Sequence, residues 1–442
     1  MIANGPGQAP EWVEQGLREA LLRDGRKIIE TLYNDRNLLP DNAKALAFEA
    51  VHRNRARQVH TLFGHIQLRR NYHHHTKSGT GRCPLDDLLG LEGALSPAVA
   101  RLACRASTCA GSYQQASEDL QAYAAISLNA RELERMVDAL APGLEQALGT
   151  LTSASQPDTA PIDVLYASCD GTGTPMRREV LKDVKGKQAD GSALTREAKL
   201  GCIFTQSGCD ELGNPLRDPD STSYVGTYQG CRHIAVKLRQ EANRRGLHRA
   251  RQVVFLGDGA PWVWENCRQT FPDAAEVLDF YHASEHVGQL ASAIHDDDHT
   301  QAAVLRQRWC QQMHQTSPAG LLAETRKMIQ THPEWSTAKR EAIDQQTRYL
   351  ENNKSRTEYG QYRKNGWFIG SGVVEAGCKH VVGRRLKQSG MFWSQTGAEN
   401  MLSLRCLVLG PHFDAAWNAR RRLLARKQAK ARQWKPPPKQ TT

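Results

Sequence analysis

Residues 162–172, IDVLYASCDGT, form an apolar run that ends in Asp170 and a glycine. A short apolar run bounded by turn residues predicts a buried strand, here with the aspartate at its carboxyl end. A second run of the same kind, VVFLGDG at 253–259, places Asp258 directly after another predicted strand. Ligands of open α/β sheets bind at the carboxyl ends of the strands, so these two aspartates form the first candidate site.

The segments around these two strands predict a mixed α/β sheet. Three strands with an antiparallel pattern are followed by a helix, a strand, a helix and a final strand, which is typical of a mixed sheet covered by helices. The other predicted strands lie at 199–206, 223–229 and 275–280, and the predicted helices at 232–246 and 261–270. From about residue 283 to 365 the chain is polar and predicted to be helical.

Two aspartates at one sheet edge repel each other unless a cation lies between them. Hard divalent cations such as Mg²⁺ bind carboxylate oxygens, so Asp170 and Asp258 would form a metal site if their strands are neighbours. A third acid, Glu375, ends the turn-like segment GSGVVE at 370–375 and falls in the first turn of the next predicted helix. Standing alone, it would be explained as a favourable acid at a helix N-terminus. Beside the two aspartates, it becomes a candidate third ligand.

Basic residues follow Glu375 along the same predicted helix, and the first of them lies one turn on, on the same face. They are Lys379, Arg384, Arg385 and Lys387. A helix that begins with a carboxylate and continues with basic residues suits a metal site beside a phosphodiester backbone. Trp393, in the following segment GMFWS, either stacks on an unpaired base or closes the core, and the core is the favoured alternative.

Residues 96–155 are predicted to be helical. Asn129 and Glu132 have the spacing of a capping box and predict the start of the last helix in this region. Two helices joined by a short turn, with Arg131 and Arg135 on the second, fit a helix-turn-helix that binds DNA. Plain helical packing explains the same pattern equally well.

The N-terminal region combines a helical stretch with a predicted hairpin at 60–72. Three histidines at 73–75 follow the hairpin, and Cys83 comes after a glycine-rich turn. A zinc site would need these side chains to converge, but neighbouring residues of a strand point to opposite faces. The pattern therefore favours a solvated basic loop.

The composition indicates a soluble intracellular protein that binds a polyanion. The 442 residues include 58 Lys and Arg against 47 Asp and Glu, which gives a net charge of +11. Neutralisation of phosphates by such a surface releases counterions and favours nucleic-acid binding. The 11 cysteines contain no CxxC pair, no apolar run reaches the roughly 18–20 residues of a membrane span, and the first residues lack a signal-peptide core. We therefore expect a cytoplasmic location, associated with the nucleoid.

Several motifs together resemble the DDE transposases of bacterial insertion sequences, specifically the ISKra-type family. They are DGTGTPM from Asp170, GDGA around Asp258, IGSGVVE ending at Glu375, GMFWS from Gly390, CPLDDLLG from Cys83 and LSP from Leu95. The resemblance covers the chain from about residue 60 to 410. It implies an RNase H-like catalytic domain whose acids are Asp170, Asp258 and Glu375. It also implies two Mg²⁺ (or Mn²⁺) ions that assist phosphoryl transfer on DNA.

The same resemblance implies an interrupted catalytic domain. The gap between Asp258 and Glu375 is too long for one strand and one helix, so the helical stretch 283–365 is predicted as an insertion. The segment DFYH at 279–282 is similar to an Asp-x-x-His motif of other transposases, which implies that His282 lies near the reacting phosphate or flanking DNA. The implied partner is double-stranded DNA, both transposon ends and target. Joining two ends requires at least a homodimer or a higher oligomer.

These expectations divide the chain into six regions. They are an N-terminal helix and hairpin at 1–95, the helical region with the expected DNA-binding helix-turn-helix at 96–155, the first part of the RNase H-like core at 156–282, the helical insertion at 283–365, the final helices of the core at 366–412 and a basic tail at 413–442. The tail is expected to end in an extended arm, because three consecutive prolines occur at 436–438.

Parts of the sequence also fit three other functions. A zinc metalloprotease would use the H-x-x-E-H segment at 282–286, but this short motif directly follows a predicted strand. A haloacid-dehalogenase-like phosphatase needs a nucleophilic aspartate two residues before Asp170, where the chain has Ser168. A DNA-binding regulator with a non-catalytic RNase H-like domain would not need all three acids, which are intact.

Overall fold

The chain forms two units, each with its own sheet: Met1–Ala147 with Ala415–Thr442, and Leu148–Asp414. The computed structural model describes residues 9–151, 161–182, 184–186, 192–296 and 298–433. Within these residues, no helix has both the length and the hydropathy that a membrane span requires. All 11 cysteines are free thiols.

The first unit begins with a long helix and a hairpin. Its first elements are α1 (Ala9–Asn34), β1 (Glu49–Thr61), β2 (Gly64–His75), β3 (Gly81–Arg82) and α2 (Pro84–Leu89). Side chains of β2 alternate, so that Ile66 and Leu68 are buried while Gln67 between them is exposed. The two buried residues pack with Val59 and Leu85 in a small core. The predicted hairpin is therefore present, and its second strand extends through the three histidines.

The expected basic loop at the histidines is wrong, because these residues belong to β2. His73 pairs with Val51 of β1 and is almost completely buried. Its Nδ1 lies 3.2 Å from the Glu49 carboxylate, which also accepts hydrogen bonds from Arg82. The histidine is thus part of a buried polar contact between strands.

Three helices follow in the first unit: α3 (Pro97–Cys109), α4 (Tyr113–Ala124) and α5 (Ala130–Gly149). The capping box predicted for α5 is confirmed, because the backbone N–H groups of Asn129 and Glu132 each donate to the other residue's side chain, at 2.9 and 3.0 Å. Leu133, Val137 and Leu144 on one face of α5 are fully buried. This apolar face is the reason that α5 is a stable packed helix.

The second unit contains the predicted mixed sheet. Its strands are β4 (Ile162–Pro175), β5 (Thr195–Gln206), β6 (Gly208–Cys209), β7 (Pro215–Leu216), β8 (Ser223–Thr227), β9 (Ala250–Gly257) and β10 (Ala275–Leu278). Five of them form one sheet in the order β10-β9-β4-β5-β8, and β6 pairs with β7. The β4–β5 and β5–β8 pairs are antiparallel, whereas β4–β9 and β9–β10 are parallel. Strand β4 is therefore central.

Helices surround this sheet and dominate the second half of the unit. They are α6 (Cys231–Arg244), α7 (Pro261–Thr270), α8 (Phe280–His295), α9 (His299–Gln315), α10 (Ala319–Thr331), α11 (Thr337–Asn352), α12 (Tyr359–Lys364), α13 (Gly372–Gly377), α14 (Arg384–Leu386) and α15 (Gln395–Leu409). A π-helical segment, Cys378–Gly383, joins α13 to α14 without a break. The last helix, α16 (Phe413–Gln433), begins at the end of this unit and continues in the first. The basic tail is thus helical up to residue 433, and the three prolines at 436–438 lie outside the described residues.

The central strands anchor the segment that leads into α13. Tyr166 of β4 is fully buried and stacks on Phe204 of β5 with ring centroids 4.6 Å apart. Its hydroxyl accepts a hydrogen bond from the Phe368 N–H at 3.2 Å. The Gln206 amide donates to the Gly366 carbonyl at 2.8 Å. These contacts hold residues 366–368 against the sheet, only a few residues before Glu375.

Candidate active site

Asp170 and Asp258 lie at the same edge of the sheet. Strands β4 and β9 are parallel neighbours, and Ser168 pairs with Leu256 in their register. Each aspartate comes two residues after its member of this pair. Asp258 directly follows the end of β9, as predicted. The expected strand end at Asp170 is wrong, because β4 continues to Pro175 through its antiparallel pairing with β5. The condition for a shared Asp–Asp site, that the two strands are adjacent, is therefore met.

Glu375 belongs to the same electrostatic environment. It lies in the first turn of α13, where its carboxylate accepts a hydrogen bond from the Ser371 hydroxyl at 2.8 Å. Burial raises the pKa of Asp170, and the charges of Asp258 and Glu375 raise that pKa further. Hydrogen bonds from the Gly171 N–H and the Cys378 thiol oppose this rise in pKa only in part. Two acids from distant parts of the chain are thus close enough for their charges to act on Asp170.

The turn that carries Asp258 is held by a residue that sequence reasoning missed. The Asp258 carboxylate accepts the Ala260 N–H at 3.0 Å, and its backbone carbonyl accepts the Tyr349 hydroxyl at 2.9 Å. Between them, Gly259 has φ +96°. A Cβ at this glycine would lie 2.3 Å from the Tyr349 hydroxyl oxygen. Helix α11 therefore fixes the second acid through a contact that needs a glycine.

We expect Gly259→Ala to impair this turn for two reasons, the positive φ and the clash with the tyrosine hydroxyl. The left-handed conformation costs a non-glycine residue about 1–2 kcal/mol, and the clash adds to this cost. Thermal unfolding should therefore show a lower Tm for Gly259→Ala. Tyr349→Phe removes the clashing oxygen but also the hydrogen bond to the Asp258 carbonyl, so it serves as the reference background. Gly259→Ala should lower the Tm less in Tyr349→Phe than in the wild type, and equal decreases in the two backgrounds would show that the clash does not matter.

A second group at this edge has the spacing of metal ligands. In the part of the chain that the structure describes, ligand atoms of Asp279, His282 and Glu375 all lie within 4.8 Å of one another. The ligand atoms of Asp170, Asp258 and Glu375 do not all lie within this distance of one another. Glu375 is the acid that the two sets share. Sequence reasoning placed His282 near the reacting centre but did not assign a contact to Asp279.

The Asp279–His282 pair is an ion pair at the start of α8. Asp279 is fully buried and caps the helix by accepting the His282 N–H at 2.7 Å, with His282 Nδ1 at 3.2 Å from the same oxygen. The hydrogen bond to Asp279 raises the pKa of His282 to about 9, although burial opposes this. Burial also works against ionisation of Asp279, but hydrogen bonds from His282 and Ser371 outweigh it and lower the pKa of Asp279. Both side chains are therefore charged at neutral pH.

The H-x-x-E-H segment does not assemble a zinc site. The His286 Nδ1–H donates to Gln346 Oε1 at 2.7 Å, and the ring stacks on Tyr349 with ring centroids 3.5 Å apart. Among the described residues, the group with metal-ligand spacing contains neither His286 nor Glu285. The metalloprotease alternative therefore has no support in the geometry.

The predicted DNA-binding residues after Glu375 divide into an exposed and a buried set. Lys379, Arg384 and Lys387 are exposed, and the Lys387 ammonium donates to the Thr172 hydroxyl, two residues beyond Asp170. Arg385 is instead fully buried, with its guanidinium 5.1 Å from the ring centroid of the buried Trp393. The assignment of these two residues to a DNA surface is corrected, because both pack inside the unit. For the tryptophan this is the favoured core alternative.

Arg131 and Arg135 lie in the first unit. Both are exposed on α5, and the Arg135 side chain donates to the backbone carbonyl of Arg131 at 3.3 Å. Their exposure leaves them accessible to a partner.

A buried cation was missed in the second unit: Lys199 of β5 pairs in register with Gly171, next to Asp170. Its ammonium lies 3.7 Å from the Trp262 ring centroid and 2.8 Å from the Glu197 carboxylate.

The fold and this edge define a mixed α/β protein with acids gathered where the parallel pairing of its two central strands ends. The chain belongs to the Uncharacterised protein family (UPF0236), whose profile matches residues 10–184 and 241–414. No curated protein matches the chain significantly. Among solved structures, the chain is similar to the Drosophila P element transposase strand transfer complex, with 10% sequence identity and a TM-score of 0.35 over 74% of this chain and 94% of that chain.

Proposed function

We propose that this protein is a DDE transposase of a bacterial insertion sequence of the ISKra type, which binds the element ends and cleaves and joins DNA strands. The observation that carries the proposal is the position of Asp170 and Asp258 just beyond the last parallel pair of β4 and β9, where the charge of Glu375 also acts on Asp170. The order of these three acids along the chain and the motifs around them support the same function.

An RNase H-like catalytic domain is part of this proposal. The sheet supports it, because an antiparallel run of three strands, β4, β5 and β8, is extended on the other side of β4 by the parallel strands β9 and β10. Helices α8 to α12 then separate the second acid from the third, as expected for a helical insertion.

The acids fit a pair of divalent cations. Carboxylate oxygens are the ligands that Mg²⁺ and Mn²⁺ prefer, and Asp170, Asp258 and Glu375 offer only such oxygens. Burial and the two other acids disfavour the ionised form of Asp170, a cost that a bound cation would offset. When bound, the ions would polarise the scissile phosphate and activate the attacking oxygen. The protein itself orients its ligands through the contacts of Ser371, Cys378 and Tyr349.

Exposed cations beside the acids would bind the DNA backbone. Lys379, Arg384 and Lys387 lie on the segment that begins with Glu375, and the last of them reaches the strand of Asp170 through Thr172. His282, charged at neutral pH and part of the same edge, would contact a phosphate near the reacting one. In the first unit, α4 and α5 would act as a helix-turn-helix, with Arg131 and Arg135 towards the DNA.

The assembly and the location follow from this function. Two element ends have to be joined in one event, so we propose at least a homodimer. The net charge of +11 suits association with DNA in the bacterial nucleoid.

Replacing Lys379, Arg384 and Lys387 together by glutamine should weaken DNA binding and its dependence on salt. The slope of log Kobs against log[salt] is negative, and each lost phosphate contact makes it shallower by about 0.9. We therefore expect the slope of the triple variant to be shallower by about 2–3. Fluorescence anisotropy of labelled duplex DNA over a salt series measures this slope. Arg251→Gln, which changes an exposed arginine paired with Asp163, should leave the slope unchanged. An unchanged slope for the triple variant would exclude these residues as phosphate contacts.

The proposed function is tested by cleavage of a supercoiled plasmid that carries the gene with its flanking chromosomal DNA. We expect nicked and linear products with Mg²⁺ or Mn²⁺ and none with EDTA. Specific binding to the flanking DNA without any nicking would favour the DNA-binding regulator instead. If the protein neither binds nor nicks the plasmid, that result contradicts both functions.

A further inference from the structure

One buried carboxylate lies where the segments that carry the second and third acids meet. Asp279 follows β10 directly, and its N–H donates to the Gly257 carbonyl at 2.7 Å, one residue before Asp258. The next residue, Phe280, donates its N–H to the Ile369 carbonyl at 2.9 Å. The backbone around Asp279 thus connects the end of β9 with the turn before α13.

The Asp279 side chain extends this connection to Glu375. One of its oxygens accepts the backbone N–H and the ring of His282, and the other accepts the backbone N–H of Ser371. Ser371 in turn donates its hydroxyl to the Glu375 carboxylate at 2.8 Å. Because Asp279 is fully buried and both of its oxygens are used, it holds Ser371 in one place. A carboxylate that is fixed in this way orients the residues bonded to it.

We propose that Asp279 is a positioning residue for Glu375, acting through Ser371. The inference rests on the proposed function, because Glu375 is assigned there as a metal ligand. It differs from a direct metal role of Asp279, which the 4.8 Å grouping with His282 and Glu375 would also allow. In that case the cation would bind the same two oxygens that already make three hydrogen bonds.

The test measures Mn²⁺ binding to the full-length protein by electron paramagnetic resonance, which does not depend on cleavage. Loss of a group that orients a metal ligand costs about 10–100-fold in metal affinity, so we expect Asp279→Asn to weaken Mn²⁺ binding by this factor. The asparagine side chain has only one oxygen that can accept, so the backbone N–H of either His282 or Ser371 loses its partner. Ser371→Ala should shift the affinity in the same direction, and it keeps the inference testable if Asp279→Asn does not fold. Asp163→Asn, at the other end of β4, should bind Mn²⁺ like the wild type.

His282→Gln separates positioning from ligation. If Asp279 acts by positioning, this variant keeps the backbone donors of residues 282 and 371, and Mn²⁺ affinity should change much less than in Asp279→Asn. Equal losses in the two variants, or wild-type affinity in both Asp279→Asn and Ser371→Ala, would overturn the inference. If wild-type protein binds Mn²⁺ and the variants follow the expected order but no DNA is cut, the proposed function fails and the positioning role stands. If the wild-type protein cuts DNA but the variants bind Mn²⁺ as tightly as the wild type does, the proposed function stands and the positioning role of Asp279 is wrong.

Discussion

Asp258→Asn is expected to reduce metal-dependent DNA cleavage on the order of 10³-fold while DNA binding is retained. Loss of one carboxylate ligand removes several kcal/mol of metal-mediated stabilisation, and each 1.36 kcal/mol corresponds to a tenfold change in rate. The asparagine oxygen can still accept the Ala260 N–H, so the turn should keep its shape. DNA affinity depends on the basic surface and should not fall.

Plasmid nicking and duplex anisotropy with the same preparation test this expectation. Asp163→Asn is the matched control, because this aspartate is partly exposed at the opposite end of β4, where it pairs with Arg251. Asp170→Asn should behave like Asp258→Asn, since both acids lie at the same edge. Wild-type nicking by either variant would contradict their assignment as ligands.

Glu241→Gln is expected to cause the largest loss of stability among the charge-neutralising changes in the second unit. Glu241 on α6 is buried and accepts hydrogen bonds from His412 Nε2 at 2.6 Å and Arg244 Nε at 2.9 Å. Removing one partner of a buried ion pair costs about 3–5 kcal/mol, because the remaining charges lose their counter-charge. Urea unfolding at neutral pH measures this difference. Glu265→Gln on the exposed side of α7 should change stability by less than about 0.5 kcal/mol.

The stability that Glu241 contributes should depend on pH. Burial opposes its ionisation, but the hydrogen bond from His412 and the charges of His412 and Arg244 outweigh this and hold the pKa of Glu241 at about 2. Because this pKa lies below the ordinary glutamate value of 4.5, the contribution is present above pH 4.5 and is lost as the pH falls towards 2. The difference between wild type and Glu241→Gln should therefore shrink over this range. A difference that stays constant down to pH 2 would contradict the ion-pair explanation.

Much of the sheet could be predicted from local patterns. The helix predicted at 261–270 has these bounds in the structure, because a proline marks its first turn. The two strands that carry the aspartates were predictable from their apolar runs before Asp-Gly, although β4 continues past Asp170 to Pro175. Parallel pairing of β4 and β9 then brings both aspartates to one edge.

Contacts between distant residues could not be predicted in this way. Tyr349 and Asp258 are far apart in sequence, and no periodic pattern indicates that a tyrosine of α11 reaches the turn after β9. The same holds for Asp279 and Ser371, whose bond is made between a side chain and a backbone N–H. Backbone donors leave no signal in the residue types.

The misassignment of Arg385 has a geometric cause. A regular α-helix has 3.6 residues per turn. The π-helical segment Cys378–Gly383 uses i→i+5 hydrogen bonds instead, so it shifts the side chains that follow it around the axis. Arg385 then faces the core beside Trp393, while Arg384 and Lys387 remain exposed.

The most direct test of the central claim is a crystal structure with Mn²⁺, in which anomalous scattering locates the ions. We predict Mn²⁺ bound by the carboxylates of Asp170 and Asp258, with Glu375 as a further ligand. Mn²⁺ held away from both aspartates, for example by Asp279 and His282 alone, would contradict the assignment of the three acids as one metal-binding site.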